Sequence, residues 1–311
     1  MTSTGTVQPG GGTATENRRE RTAFPRGRAA KKGGSTGRGG WFPRVALAIA
    51  CILWLVPSIG LLITSFRTPE AALRTGWWSA ILDPFSDWTL SNYTRVLEAG
   101  GTNAFLNSLA VSLPATVIPL LIAAVAAYAF TFMEFPGRDV FFVLIVGLLV
   151  VPLQVALVPL LRIYGDLGLT GTFAAVWLAH AGFGMPLAIF ILRGYMATLP
   201  RAIIESAKID GATHYQTFWK LIVPMSVPAL ASFAIFQFLW TWNDLLVALI
   251  FLGPGENEVL TVLVAGLVGA QQQGWQLVTA GAFLSMVIPL IVFISLQRYF
   301  VLGLTAGSVK G

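Results

Sequence analysis

Six stretches of this chain are each long and apolar enough to cross a lipid bilayer, and this constrains its fold more than anything else in the sequence. They are Val45 to Ser65, Leu106 to Phe132, Val140 to Leu161, Thr172 to Leu192, Met225 to Leu252 and Gln276 to Gln297. A helix needs about 20 mostly apolar residues to span the hydrocarbon. With no water there to pair with backbone groups, each segment must satisfy its own N–H and C=O groups, which selects helices. Hydrophobic residues are 55% of the 311 positions and charged residues 11%, a balance that excludes an ordinary soluble domain. The expected class is therefore all-α, a polytopic membrane protein with six transmembrane helices.

The charges give an orientation. Of the 20 Lys and Arg, four (Arg67, Arg74, Arg95 and Arg162) fall in one alternate set of connections, and the rest lie in the other set and the tails. By the positive-inside rule this places both termini in the cytoplasm. Residues 1–40 are rich in Gly, Thr and Arg without apolar periodicity, so they are expected to form a disordered cytosolic tail ahead of a membrane domain over residues 41–311. The basic cluster from Arg18 to Lys32 reads as an orienting block that touches anionic membrane lipid rather than as a nucleic-acid site. Val45 to Ser65 is not followed by a clear small-residue cleavage site and reads as a retained helix. The single cysteine, Cys51, rules out an intrachain disulfide.

Two connections outside the membrane carry information. The first, Phe66 to Phe105, holds Trp77, Trp78 and Trp88, side chains suited to the headgroup level. The second follows the fifth span, where Gly253-Pro254-Gly255-Glu256-Asn257-Glu258 is a turn signal. An uncharged run of 39 residues, Val259 to Gln297, comes next. That is too long for one perpendicular helix, and Gln271-Gln272-Gln273-Gly274 divides it, so Leu260 to Ala270 reads as a short interfacial or partly re-entrant helix.

A charged segment between the fourth and fifth spans, about residues 197–224, carries the chemistry. Pro200 suits the first position of a helix, and Ile203, Ile204 and Ala207 then share one face, leaving Glu205 and Asp210 on the rim. Gly211 stands where this helix must turn into the next, about His214 to Val223, which carries Phe218, Leu221 and Ile222 on a similar stripe. A loop so built inside a membrane protein is a docking element for another protein.

Glu205-Ser206-Ala207, three residues, Gly211, nine residues and Leu221-Ile222-Val223-Pro224 resemble the cytosolic signature of bacterial ABC importer permeases. Asp210-Gly211-Ala212, Trp240-Thr241-Trp242-Asn243-Asp244 and the ending Leu304 to Gly311 look like the smaller permease of maltose-type and α-glucoside-type importers. The resemblance covers residues 45–311. It implies a type I importer permease fold whose coupling helix inserts into an ATP-binding subunit, with Glu205, Ala207, Asp210, Gly211 and Ala212 as coupling residues. It also implies two copies of that subunit, a second permease (a heterodimer), an extracytoplasmic sugar-binding protein and a bacterial inner-membrane location. The solute would be an oligosaccharide or α-glucoside such as maltose or trehalose. The loop between the last two spans would meet the binding protein through either Gly255 to Glu258 or Gln271 to Gly274. No Gly-x-x-x-x-Gly-Lys-[Ser/Thr] loop occurs, so ATP hydrolysis belongs to another chain and this one is not an enzyme.

Asp244 supports a rival reading, an ion-coupled secondary transporter, because an acid within a span is costly and faces a cavity or partner. The alternative is a structural acid near the outer end of the fifth span, bonded to Asn243 or a neighbouring helix. Asn107, Gln154, Gln237, Trp240, Asn243 and Asp244 are the residues that offer a passage for a hydroxylated solute, or else tie helices together. His180 and His214, the only histidines, have no ligand partners at metal-site spacing, and neither a metal nor a cofactor is expected.

Overall fold

The computed structural model describes residues 41–82, 87–269 and 274–306, with side chains described to Gln297; the expected tail 1–40, Gln271 to Gln273 and the ending 307–311 lie outside these. In chain order the helices are α1 (Trp41–Ser65), α2 (Pro69–Arg74), α3 (Ser79–Leu82), α4 (Ser91–Val96), α5 (Thr102–Phe132), α6 (Arg138–Gly147), α7 (Leu153–Asp166) and α8 (Phe173–Met196). They continue with α9 (Arg201–Ile209), α10 (His214–Thr217), α11 (Val223–Met225), α12 (Val227–Trp242), α13 (Leu246–Phe251), α14 (Leu260–Gly269) and α15 (Trp275–Ala306). Among the described residues the only strand-like pairing is a single bridge between Arg67 and Trp88. Two compact units divide within α1, between Cys51 and Ile52. Residues 41–51 are helical throughout, and the packing below belongs to the unit that begins at Ile52.

The bundle is centred on α5 and α8, with α12 against α5, α15 against α12, and α4 and α14 on α15. Small residues set this intimacy. Ala115, Ala123, Ala124 and Ala127 of α5 and Ala175, Ala179, Ala181 and Ala188 of α8 are all buried, and short side chains let helix backbones approach closely where lipid provides no hydrophobic drive.

The six expected spans appear as four continuous helices (α1, α5, α8 and α15) and two bent pairs, each pair counted as one span. The third span is broken: residues 138–150 and 153–166 meet at 100°. Val151 there is extended, with φ −71° and ψ 115°, because the ring of Pro152 disfavours helical backbone in the residue before it. The fifth span also departs from the expectation. Residues 214–225 and 227–242 meet at 74°, and the chain breaks again after Trp242 before resuming as α13. Helix α14 packs on α5 and α15 with Leu260, Val262 and Leu267 buried.

Candidate functional site

The segment between α8 and α12 folds as a helix, an elbow and a second helix. Pro200 is the residue before the first helical position, one place earlier than expected, and α9 runs from Arg201 to Ile209. Its end is closed by two hydrogen bonds. Gly211 N–H donates to Lys208 O at 3.1 Å and Ala212 N–H to Ala207 O at 2.9 Å, the Schellman pattern, which requires a left-handed residue between them. Gly211 supplies it, with φ +77°. The chain re-enters helix at once, since Thr213 and Gln216 form a reciprocal capping box, Gln216 N–H donating to Thr213 Oγ1 and Thr213 N–H to Gln216 Oε1. Such a cap contributes about 1 kcal/mol. The elbow therefore has no loose backbone at its turn.

One side of the elbow is bolted to the bundle. Ile204, Phe218 and Ile222 are buried in an apolar cluster with Ala127 and Tyr128 of α5 and Leu192 and Met196 of α8, and Ala207 is buried as well. The Tyr128 hydroxyl lies 2.9 Å from His214 Nδ1, and Tyr195 OH donates to Met225 O at 3.2 Å. The other side packs on no other helix among the described residues, Tyr215 meeting only Trp219 beside it. Ile203, against expectation, lies partly outward, Glu205, Asp210 and Gly211 are exposed, and Ile209 and Tyr215 are 86% and 74% exposed. Among the described residues the ion pairs are Arg138–Asp139 and His180–Asp244, so Glu205 has no charged partner. Beside it, Glu205 joins Thr131, Glu134, Arg138, Arg201 and Lys208 around a cleft of about 240 Å³.

A second polar cluster lies where α12 breaks. Asp244 was expected inside a continuous span; instead its Oδ2 accepts the N–H groups of Val247 and Ala248 at 2.9 and 3.1 Å and so caps α13. Its backbone carbonyl accepts the Thr261 hydroxyl at 2.7 Å. The carboxylate faces His180 of α8, whose Nε2 stands 3.7 Å away. Trp240 meets the same imidazole edge-on at 5.2 Å. Gln237, fully buried, donates to Ala115 O and His180 O at 3.2 and 3.3 Å, tying α12 to α5 and α8.

Comparison with other proteins identifies the family. The family of binding-protein-dependent transport system inner membrane components matches over residues 115–305, the stretch that holds both the elbow and the polar cluster. The chain belongs to that family. An osmoprotective-compounds uptake permease of Synechocystis is 54% identical over 86% of this chain and 91% of its own. An alpha-glucoside transport system permease of Rhizobium meliloti is 58% identical over 72% of this chain and 61% of its own. A solved bacterial ABC transporter involved in importing the acidic polysaccharide alginate superimposes with a TM-score of 0.61 at 14% identity, over 83% of this chain and 94% of that one. The fold is thus that of an ABC importer permease, a multi-pass inner-membrane subunit that is not itself an enzyme.

Within this permease the expected residues separate. Glu205, Asp210 and Gly211 lie outward on the elbow, Ala212 is half-buried, and Ala207 faces the bundle, where its small side chain lets α9 lie close. Gln237, Trp240 and Asp244 gather around His180, and Asn243 adjoins them at the exposed end of α12. Asn107 lies elsewhere, donating to Glu256 O and Glu258 O at 2.8 and 2.9 Å and so holding down the 253–258 turn. Gln154 is exposed at the start of α7. His180, which the sequence marked only by its lack of metal-ligand partners, is buried, and neither ring nitrogen has a hydrogen-bond partner among the described residues.

Replacing Asp244 separates its roles. Asp244→Asn keeps a side-chain oxygen for the Val247 and Ala248 N–H groups, so the permease is expected to keep its stability and ATP-driven uptake. Asp244→Ala strips that cap and is expected to cost about 1 kcal/mol, read as a lower midpoint in thermal unfolding of the purified complex. Loss of all uptake in the Asn variant, with normal stability, would restore the ion-coupled reading.

Proposed function

We propose that the chain is one half of a transmembrane pair that imports an oligosaccharide or α-glucoside when two ATP-binding subunits close on ATP. The observation that carries this is the elbow at Gly211. Its backbone is internally complete, its inner face is fixed to α5 and α8, and its outer face exposes Glu205, Ile209 and Tyr215, the last meeting only Trp219 of the same elbow edge-on. A segment built this way moves as one body with the helices behind it. Displacement of the elbow by an ATP-binding subunit therefore shifts α5 and α8 through Tyr128, His214 and Tyr195, and α12 through the bend at Ser226.

The sugar class is supported by the alpha-glucoside permease of Rhizobium meliloti, and a requirement for an extracytoplasmic binding protein by the family itself. Both termini lie in the cytoplasm, the side on which the elbow meets its motor. Solute passage falls to the rim formed by Trp240, Asn243 and Asp244, since the amide groups of Asn107 and Gln237 are bonded to backbone carbonyls. Of the two loops open to the binding protein, the turn at Gly255 to Glu258 is tied down by Asn107, and Asn257 Nδ2 donates to Gly171 O at 2.8 Å.

Purification of the tagged chain from its native membrane tests the reading. It is expected to bring down an ATP-binding protein and a second permease, and the reconstituted complex to take up a labelled α-glucoside only with ATP and the binding protein. Uptake that follows an imposed proton or sodium gradient, by a chain isolated without any ATPase, would contradict it.

A further inference from the structure

The connection after α1 is expected from sequence to hold its tryptophans at the headgroup level, but the structure gives the three of them different tasks. Trp88 stacks on Phe66 with ring centroids 5.9 Å apart. Trp77 lies on α1 itself: a Cβ at Gly60 would come within 2.8 Å of its indole Nε1, so the missing side chain is what admits the ring. Trp78 turns outward, 60% exposed, together with Ile81 and Leu82 at 56% and 82%.

What makes this connection a solid shelf is a buried cation. Arg67 is 1% exposed. Its guanidinium donates to Thr75 O and Ala71 O, both at 2.8 Å, to Thr75 Oγ1, and to Ser79 Oγ at 3.3 Å, drawing α2 and α3 around one centre. Asn92, also buried, donates to Ser65 O and Arg67 O at 2.9 and 2.8 Å and so fixes the shelf to the end of α1.

We propose that the Trp78, Ile81 and Leu82 edge of this shelf lies in the membrane interface and binds lipid at the boundary between headgroups and acyl chains. Two observations set its depth. Only Phe66, Arg67 and Thr68 separate α1 from α2, so the shelf has no length with which to leave the surface. Gly60 precedes the end of α1 at Ser65 by five positions, on the order of 7 Å along the axis at 1.5 Å per residue, and Trp77 reaches back to it. The shelf thus folds back alongside the membrane helix, and the adjoining Trp78 edge is carried to the same level. Indole and aliphatic side chains are favourable at that level, and α3 carries no charge to oppose it. Helix α2 packs on α15, and Trp275, 67% exposed at the start of α15, puts a further indole at this end of the bundle. The rival occupant is a protein, above all the extracytoplasmic binding protein.

Nitroxide labelling distinguishes them. Trp78→Cys, Ile81→Cys and Leu82→Cys are made singly in a Cys51→Ser chain, assembled with its partners in lipid nanodiscs, and probed by power saturation with oxygen and a water-soluble nickel chelate. Glu70→Cys, on the exposed charged side of α2, is the aqueous reference. The expected result is nickel accessibility several-fold below the reference and high oxygen accessibility, the same with and without the binding protein. Nickel accessibility equal to that at Glu70, or protection that arises only when the binding protein is added, would overturn the proposal. Leu82, the most exposed of the three, keeps the test decisive if the Trp78 variant fails to assemble.

Discussion

Replacing Gly211 with leucine is expected to leave the permease folded and abolish substrate-stimulated ATP hydrolysis by its complex. The backbone at this position has φ +77°, so any L side chain there is strained, by about 1–2 kcal/mol for a left-handed residue. That is small for a bundle of this size, and a Cβ at Gly211 would meet no described atom within 4 Å, so apart from this backbone strain there is open space at the position. What leucine does fill is the space outside the elbow, where the ATP-binding subunit is proposed to grip. Gly211→Asn is the internal control, because asparagine tolerates the left-handed region and is shorter and polar; it is expected to retain part of the stimulation. Measurement of ATPase rates with and without loaded binding protein, at matched complex yield, checks both. Full stimulation in the leucine variant would mean that no partner approaches this turn.

A larger structural effect is expected at Gly184 of α8. A Cβ there would stand 2.5 Å from Gln237 Oε1, with the amide nitrogen and carbon of the same side chain also within 3 Å. Gln237 cannot swing aside freely, since its amide donates to Ala115 O and His180 O. Gly184→Leu is therefore expected to separate α8 from α12, at a cost of about 1–3 kcal/mol for overpacking plus about 0.6 kcal/mol for each interhelical hydrogen bond lost. The readout is a fall in the yield and thermal midpoint of the assembled complex, with transport lost in proportion. Because the three nearest atoms all belong to the Gln237 side chain, Gly184→Ala is expected to be better tolerated in a Gln237→Ala background than alone. Equal penalties in the two backgrounds would show that the crowding has another source.

The elbow was legible in the sequence because each motif residue answers a local demand. Glycine is needed where a helix end turns left-handed, and the apolar stripe repeats at helical spacing; the Thr213–Gln216 capping box carries an equally local signal that was passed over. The breaks in the third and fifth spans were not. Proline is no guide by itself here, since Pro57, Pro114, Pro119, Pro159, Pro186 and Pro289 all lie within helices that continue through them. At Pro152 the chain instead leaves the helix through a tight turn at Leu148–Val150, with Val151 extended, so the same residue type ends one helix and is accommodated in six other places. The cap at Asp244 had a local signal, Asn-Asp in an apolar run, which was absorbed into a span because hydropathy averages over it. The facing of His180 to Asp244 and the burial of Arg67 are tertiary facts joining residues far apart or hidden by folding, and no spacing in the chain announces them.

The elbow at Gly211 is proposed to be gripped by an ATP-driven partner. Maleimide labelling of Ile209→Cys in a Cys51→Ser chain tests it most directly, since Ile209 is 86% exposed in the chain alone and adjoins the turn. Rapid labelling is expected of the permease pair by itself, and strong protection once the ATP-binding subunits are bound, with the degree of protection changing on addition of ATP. Labelling that is equally rapid in the permease pair and in the fully assembled, transport-competent complex would contradict it.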